Sequence, residues 1–322
     1  MEQYIMKEIG GYLEMDTSSR QVYHTNALAL NSGRHCLEYL FMAKEIKKLY
    51  IPDYMCYTAG RICEKYQCEY TYYPIQRNFL PNLCAELKDN EYVYIVNYYG
   101  QLSNDILLQL VHSYGNVIVD NVQAFFQTPL DGIDTIYSCR KYFGVSDGAY
   151  LYTTSKIQDE LDIDFSYNRM RFVLGRYEKD ASSFFHEASY NNAIFDKQPV
   201  KRMSKLTENM LKNISYNEVK EKREHNFAFL HRHLKEINEL TLVTPEGPFM
   251  YPFYVNDGVR LREKLIEKKI YIPRFWDDVF HIAQPNSAAW QFTENILPLP
   301  CDQRYGKDEM DYIINHILIE MK

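Results

Sequence analysis

The 322 residues carry 36 Lys and Arg against 43 Asp and Glu, a net charge of −7, with 46% hydrophobic and 25% charged residues. That length and composition suit a globular protein with one large unit and a smaller one, and an acidic balance without a basic run excludes nucleic acid as an expected partner. No apolar run approaches the roughly eighteen residues of a membrane span, and residues 1–10 lack the apolar stretch of a secretory leader, so no membrane partner is expected and a cytoplasmic location is the simplest expectation.

Asn31-Ser32-Gly33 precedes a helix-like stretch from Arg34 to Lys48, in which Leu37, Leu40, Phe41 and Ile46 can share a face. Leu49-Tyr50-Ile51 reads as a short strand ending at Pro52; Ala59 to Tyr66 reads as a helix and Glu69 to Tyr73 as a strand. Tyr92 to Val96 is a buried strand by its continuous apolar character, and Asn104 to Tyr114 a helix capped by Ser103 or Asn104. Val117-Ile118-Val119 is another buried strand, ending at Asp120. This alternation predicts an α/β fold with a mostly parallel central sheet covered by helices, and ligands of such sheets sit beyond the carboxyl ends of the strands, where Asp120 lies. Residues 156–215 are polar and read as irregular. Then come a charged helix from Glu218 to Ile237, a strand from Met250 to Val255, a helix from Val259 to Lys268, a strand Ile270-Tyr271-Ile272 and a closing helix from Lys307 to Met321. The expected division is a large α/β domain over 20–215 and a smaller α+β domain over 216–322.

Four local signals carry chemistry. Asn31-Ser32-Gly33-Arg34-His35 stands at a helix start, where unpaired N–H groups and the positive helix end can seat a phosphate; a plain capped helix would look the same. Asp120, in Asp120-Asn121-Val122-Gln123, can pair with a protonated ring nitrogen, or can simply cap the next turn. Lys141, in Ser138-Cys139-Arg140-Lys141-Tyr142-Phe143-Gly144, can become a free amine if burial beside other cations lowers its pKa, or can be half of an exposed Arg–Lys pair. Tyr57, after Pro52-Asp53-Tyr54, offers a ring to stack on a cofactor, although a chain with 29 tyrosines has many that only pack. The seven cysteines are odd in number and include no CxxC pair, and Cys63 and Cys68 have no matching His or Cys pair nearby, so no metal is expected and reduced thiols are. No GxGxxG follows the early strands, which weighs against a dehydrogenase or a nucleotide-sugar transferase.

The order of these signals resembles the DegT/DnrJ/EryC1/StrS family of aminotransferases that depend on pyridoxal 5'-phosphate (PLP) and have the aspartate-aminotransferase fold. The resemblance runs through the helix start at Asn31 to Leu37, Pro52 to Tyr57, Val96-Asn97-Tyr98-Tyr99-Gly100, Asp120-Asn121-Val122-Gln123, Ser138 with Lys141, and Asp147-Gly148-Ala149. It continues more weakly in Lys222-Arg223-Glu224-His225-Asn226, Trp276 and Leu297-Pro298-Leu299-Pro300. It departs from the family in the Ser–Lys spacing, which is three here and five in many members, and in Cys301 where a His often follows the late Pro. The resemblance implies PLP as cofactor, with Lys141 as the Schiff-base lysine and Asp120 on the ring nitrogen. Gly33, Arg34, His35, Tyr57, Gln123 and Ser138 would complete the cofactor site. It further implies a ping-pong transfer from an amino acid to a nucleotide-linked keto sugar, small molecules as the substrates, and a homodimer with shared active sites. The two departures also admit an inactive binding or regulatory protein of a glycan pathway with the same fold.

Overall fold

The computed structural model describes residues 9–321; of the stretch read as lacking a leader, residues 1–8 lie outside the described residues. The first half runs β1 Leu28–Leu30, α1 Gly33–Ala43, β2 Lys48–Pro52, α2 Thr58–Lys65, β3 Glu69–Tyr73, β4 Glu91–Val96, α3 Asn104–Tyr114, β5 Val117–Asp120, β6 Asp134–Ser138 and β7 Ala149–Tyr152. The strands form one seven-stranded sheet in the order β1-β7-β6-β5-β4-β2-β3. Every neighbouring pair from β3 to β6 is parallel, and β7 runs antiparallel to both β6 and β1.

Position in the sheet explains the sequence patterns. β5 and β6 lie centrally and every residue in them is buried; β5 shows this as the apolar run Val117-Ile118-Val119, whereas β6 buries Asp134, Thr135 and Ser138 as well and has no such run. β3 is an edge strand, and its exposure alternates along Glu69-Tyr70-Thr71-Tyr72-Tyr73 as expected of a half-covered strand. The register sets Val96 opposite Asp120 and Asp120 opposite Ile136. The strand ends that carry chemistry therefore finish at one rim.

The second half contains α4 Arg171–Glu178, α5 Phe185–Ile194, α6 Lys205–Lys212, α7 Tyr216–Leu234, β8 Tyr251–Tyr254, α8 Gly258–Glu267, α9 Val279–Ile282, α10 Ala288–Asn295, β9 Ile296–Leu299 and α11 Lys307–Glu320. β8 and β9 pair antiparallel. Side chains of α7, α8 and α11 close a second apolar cluster over them, including Phe227, Leu230, Leu265, Ile313 and Ile317. Among the described residues, no helix is long and apolar enough to cross a membrane.

Three expectations need correction. The first helix ends at Ala43, not Lys48: Lys44 has extended backbone, its ammonium pairs with Asp134, and Lys48 already belongs to β2. Ile270-Tyr271-Ile272 forms no strand; Ile270 and Ile272 face the second cluster while Tyr271 is exposed, which mimics a strand's alternation without any partner edge. Residues 156–215 are not irregular, because they include α4, α5 and α6. α4 buries nothing and α5 only Asn191, so neither has the inward apolar stripe by which a helix is read from sequence.

Candidate active site at the carboxyl end of the sheet

A cleft of about 270 Å³ opens where β4, β5 and β6 end. Ser32, Gly33 and Arg34 at the start of α1 form one side, Tyr94, Asp120, Val122 and Ser138 the floor, and Lys141 with Arg140 the wall after β6. Met55, Cys56 and Thr58 before α2, Asn192 of α5, and Trp276 close the remaining sides. A larger cleft of about 490 Å³ lies elsewhere, between α7 and the turn at 244–246, and its rim includes Glu221, Glu224 and Glu246. It gathers none of the residues predicted for the cofactor site, although Glu224 and His225 of the weaker resemblance line it.

Asp120 is buried at the end of β5. Its Oδ2 accepts from the Tyr94 hydroxyl at 2.6 Å and its Oδ1 from the Val122 N–H at 2.9 Å. Burial pushes its carboxyl above the usual range, against the pull of the Tyr94 bond, the Lys141 charge and the Val122 N–H.

Lys141 ends a single turn of 3-10 helix, Cys139–Lys141, that follows β6 directly. The turn is fixed from both sides. The N–H groups of Tyr142 and Phe143 donate to the Cys139 carbonyl at 3.0 and 2.9 Å, and the Cys139 N–H donates to Gly148 O at 3.1 Å. Gly148 has φ of +112°, and a Cβ there would lie 3.0 Å from Thr207 and 3.3 Å from Cys139, so the return into β7 requires glycine. Among the described residues the Lys141 ammonium has no hydrogen bond or ion pair; it lies 5.3 Å from the centre of the Phe249 ring. Burial lowers its pKa, Asp120 and Cys56 raise it, and Arg140 lowers it.

The end of the cleft beside α1 is cationic. Ser32 caps the helix, its Oγ accepting from His35 N at 3.3 Å. The N–H groups of Gly33 and Arg34 have no acceptor among the described residues and stand at the cleft. The Arg34 guanidinium pairs with Asp196. Arg140 has no carboxylate partner among the described residues, contacts Asn192 Oδ1 at 3.4 Å, and lies 4.8 Å over the Phe195 ring. Burial and the neighbouring Arg34 and Arg169 bring its pKa down to about 10.

Of the residues predicted for the site, Gly33, Arg34, Asp120, Ser138 and Lys141 line this one cleft. His35, Tyr57 and Gln123 do not. The His35 ring is buried behind α1, with its nitrogens 2.6 Å from Asn31 Oδ1 and 3.1 Å from the Gln198 carbonyl. Tyr57 folds back over α2, where its hydroxyl bonds Glu64 and lies 3.0 Å from the Tyr70 hydroxyl. Gln123 turns the other way and accepts from the N–H of Tyr99, a residue at φ +54°. Sequence reasoning had not placed Tyr94, Val122, Asn192 or Cys56 in the site. Tyr94 and Val122 had a signal: each is two residues from a position already marked at a strand end.

No family model matches the sequence, and no curated protein matches it. Solved structures do. A DegT DnrJ EryC1 StrS aminotransferase from Brucella abortus aligns over 92% of this chain and 86% of its own at 13% identity, with a TM-score of 0.60. The fold is that of the sugar aminotransferases. Sugar aminotransferase CalS13 from Micromonospora echinospora has this fold at 13% identity, over 90% of this chain and 86% of its own, with a TM-score of 0.59. NtdA from Bacillus subtilis, solved with bound cofactor PMP, aligns at 14% identity over 91% of this chain and 72% of its own, with a TM-score of 0.63. The sugar-aminotransferase fold thus extends over nearly the whole chain, as the order of motifs in the sequence implied.

Proposed function

We propose that the protein is a PLP-dependent aminotransferase that moves an amino group from an amino acid to the keto group of a nucleotide-linked sugar. The observation that carries this reading is that a desolvated lysine, without a hydrogen-bond or ion-pair partner among the described residues, and a buried carboxylate line the same small cleft at the end of a parallel sheet, in a fold shared with sugar aminotransferases. The sugar half of the proposal rests on the named activity of those neighbours, and the cofactor on the PMP in one of them.

The donor set fits PLP. Two free N–H groups of α1, the Ser138 hydroxyl and the unpaired Arg140 suit a phosphate. Asp120 suits a protonated ring nitrogen, and Val122 supplies an apolar surface between the two ends. When bound, the cofactor supplies an aldehyde for an amine and a ring that can take up an electron pair. The chain's own contribution is protonic and electrostatic. Burial shifts Lys141 toward the free amine, the form whose Nζ can take the proton from the amino-bearing carbon of the donor and later return one to the acceptor. Tyr94 and Val122 fix the Asp120 carboxylate in one orientation, so its charge stays where a ring N–H needs it. In this reading transfer runs in two half-reactions, with this cleft serving donor and acceptor in turn.

We further infer a cytoplasmic homodimer whose sites lie near the subunit boundary. Tyr177 of α4 is 94% exposed, and Phe185 and Tyr190 of α5 are each 68% exposed, an outward apolar face of the sort that partners cover. α5 also carries Asn192 of the cleft. The test of the whole reading is spectroscopic. Protein saturated with PLP should be yellow, lose that colour on adding an amino acid donor, and regain it with a nucleotide-linked keto sugar. A protein that takes up no PLP, or whose colour is indifferent to every amino donor, refutes it.

A further inference from the structure

Arg223 of α7 is among the largest fully buried side chains, and no carboxylate pairs with it among the described residues. Asp302, the carboxylate whose charge acts on it, already holds Arg304 through two bonds of 2.7 and 2.8 Å. The Arg223 charge is met by backbone instead. Nη1 donates to Pro248 O at 2.9 Å and Phe249 O at 3.2 Å, Nη2 to Tyr142 O at 3.2 Å, and Nε to Gln303 Oε1 at 2.7 Å. Gln303 Nε2 in turn donates to the same Tyr142 carbonyl at 2.8 Å, so both acceptor sites of that oxygen are filled from the C-terminal half. The guanidinium also lies 4.4 Å over the Tyr142 ring. Two of the groups held this way adjoin one side chain: Tyr142 follows Lys141 in the chain, and the Phe249 ring stands 5.3 Å from its ammonium.

We propose that Arg223 is a positioning residue for Lys141, clamping the Tyr142 carbonyl and the Phe249 backbone so that the C-terminal half sets where the lysine amine stands. The role of Lys141 rests on the aminotransferase reading; the clamp itself does not. A planar fork is needed because four acceptors in three chain segments are met by one side chain. A lysine there would keep the charge and reach fewer of them. With the clamp loosened, water reaches the amine and the desolvation that favours its neutral form weakens. Asp120 from β5, Cys56 before α2 and neighbouring Arg140 would still face it.

The test uses cofactor-free protein. Competitive labelling of amines with acetic anhydride across pH, read by mass spectrometry at Lys141, gives the titration and reactivity of that one side chain. In folded Arg223→Lys the Lys141 titration should move up by about half a unit, a roughly threefold loss of free amine at neutral pH. Gln303→Met, at a half-buried position, removes one of the two donors to Tyr142 O. It should move Lys141 the same way by less, which keeps the test available if the arginine variant does not fold. A Lys141 profile identical to wild type in folded Arg223→Lys, or in Gln303→Met when that is the only folded variant, overturns the proposal. Failure of the aminotransferase reading would look different: wild-type protein would not bind PLP, whatever the labelling profiles showed.

Discussion

The two sides of the cleft are built on different principles. The sheet side, from Tyr94 to Lys141, consists of residues at or next to the ends of three adjacent strands, held by backbone register and short turns. The opposite side brings together Asn192 of α5 and Trp276, far apart in the chain and set in place by contacts between separate elements. Charge is divided too. The sheet side holds a desolvated acid and a desolvated base that each moderate the other's shift, while Arg34 of α1 and Arg140 after β6 form a cationic cluster toward α5, in which Arg140 has no carboxylate partner among the described residues. The lesson is that the desolvated acid and base sit on the side built by strand register, and most of the cationic groups sit where separate elements meet.

The largest effect should come from the sheet side. Lys141→Ala removes the only amine that lines the cleft among the described residues, and amino transfer should fall by at least ~10³-fold, with loss of the yellow absorbance of PLP-loaded protein. Transfer that survives at wild-type rate in this variant would show that the sheet side does not handle the proton. Asp120→Asn comes next. An amide cannot supply the charge for a ring N–H, so transfer should drop about 10²–10³-fold. The cofactor-free variant should melt no lower than wild type, because burial of the ionised Asp120 opposes folding.

The cationic side should report in binding more than in rate. Arg140→Gln deletes the guanidinium that has no carboxylate partner, and PLP affinity should weaken by about 10–100-fold at unchanged maximal turnover. Titration of the cofactor's absorbance at rising salt measures this, and the wild type should lose more affinity to salt than the variant. An unchanged affinity would place the phosphate elsewhere.

How much could be read from sequence followed the same division. Asp120 ends a strand read from its apolar run, and Gly33 begins a helix whose cap is spelled out by Ser32, whereas Ser138 and Lys141 follow a strand that was not read and were marked by the resemblance. Positions such as Asp120 and Gly33 depend on local pattern, so the chain itself discloses where they fall. Tyr57 had the right address and the wrong direction. Its ring lies over α2, where a Cβ on Gly60 would be 2.9 Å from it, and nothing local distinguishes that rotamer from one facing the cleft. Asn192 was unreadable because α5 turns its apolar residues outward, so its helix showed no inward stripe. β1 escaped for another reason: three residues are too few to show a period.

The finest test of the sheet side is the hydroxyl that orients the acid. Tyr94→Phe removes the 2.6 Å bond to Asp120 Oδ2 and little else, since the buried ring can stay in place. That bond lowers the Asp120 pKa against the rise caused by burial, so its loss must move the carboxyl further up. Transfer needs the ionised form and fails as pH falls through this pKa. The acid limb of the rate profile should therefore shift to higher pH, with only a few-fold loss on the plateau. Stability of the cofactor-free protein carries the same sign. A folded-state pKa above the unfolded one means that the native form binds the proton more tightly, so stability declines as pH rises from the ordinary Asp value through the raised one. Tyr94→Phe should widen that window upward and cost about 1–3 kcal/mol on its alkaline side, where an ionised oxygen is left without its donor. Thermal unfolding measured across that range would check it, and an acid limb that stays in place would mean that a group other than Asp120 governs it.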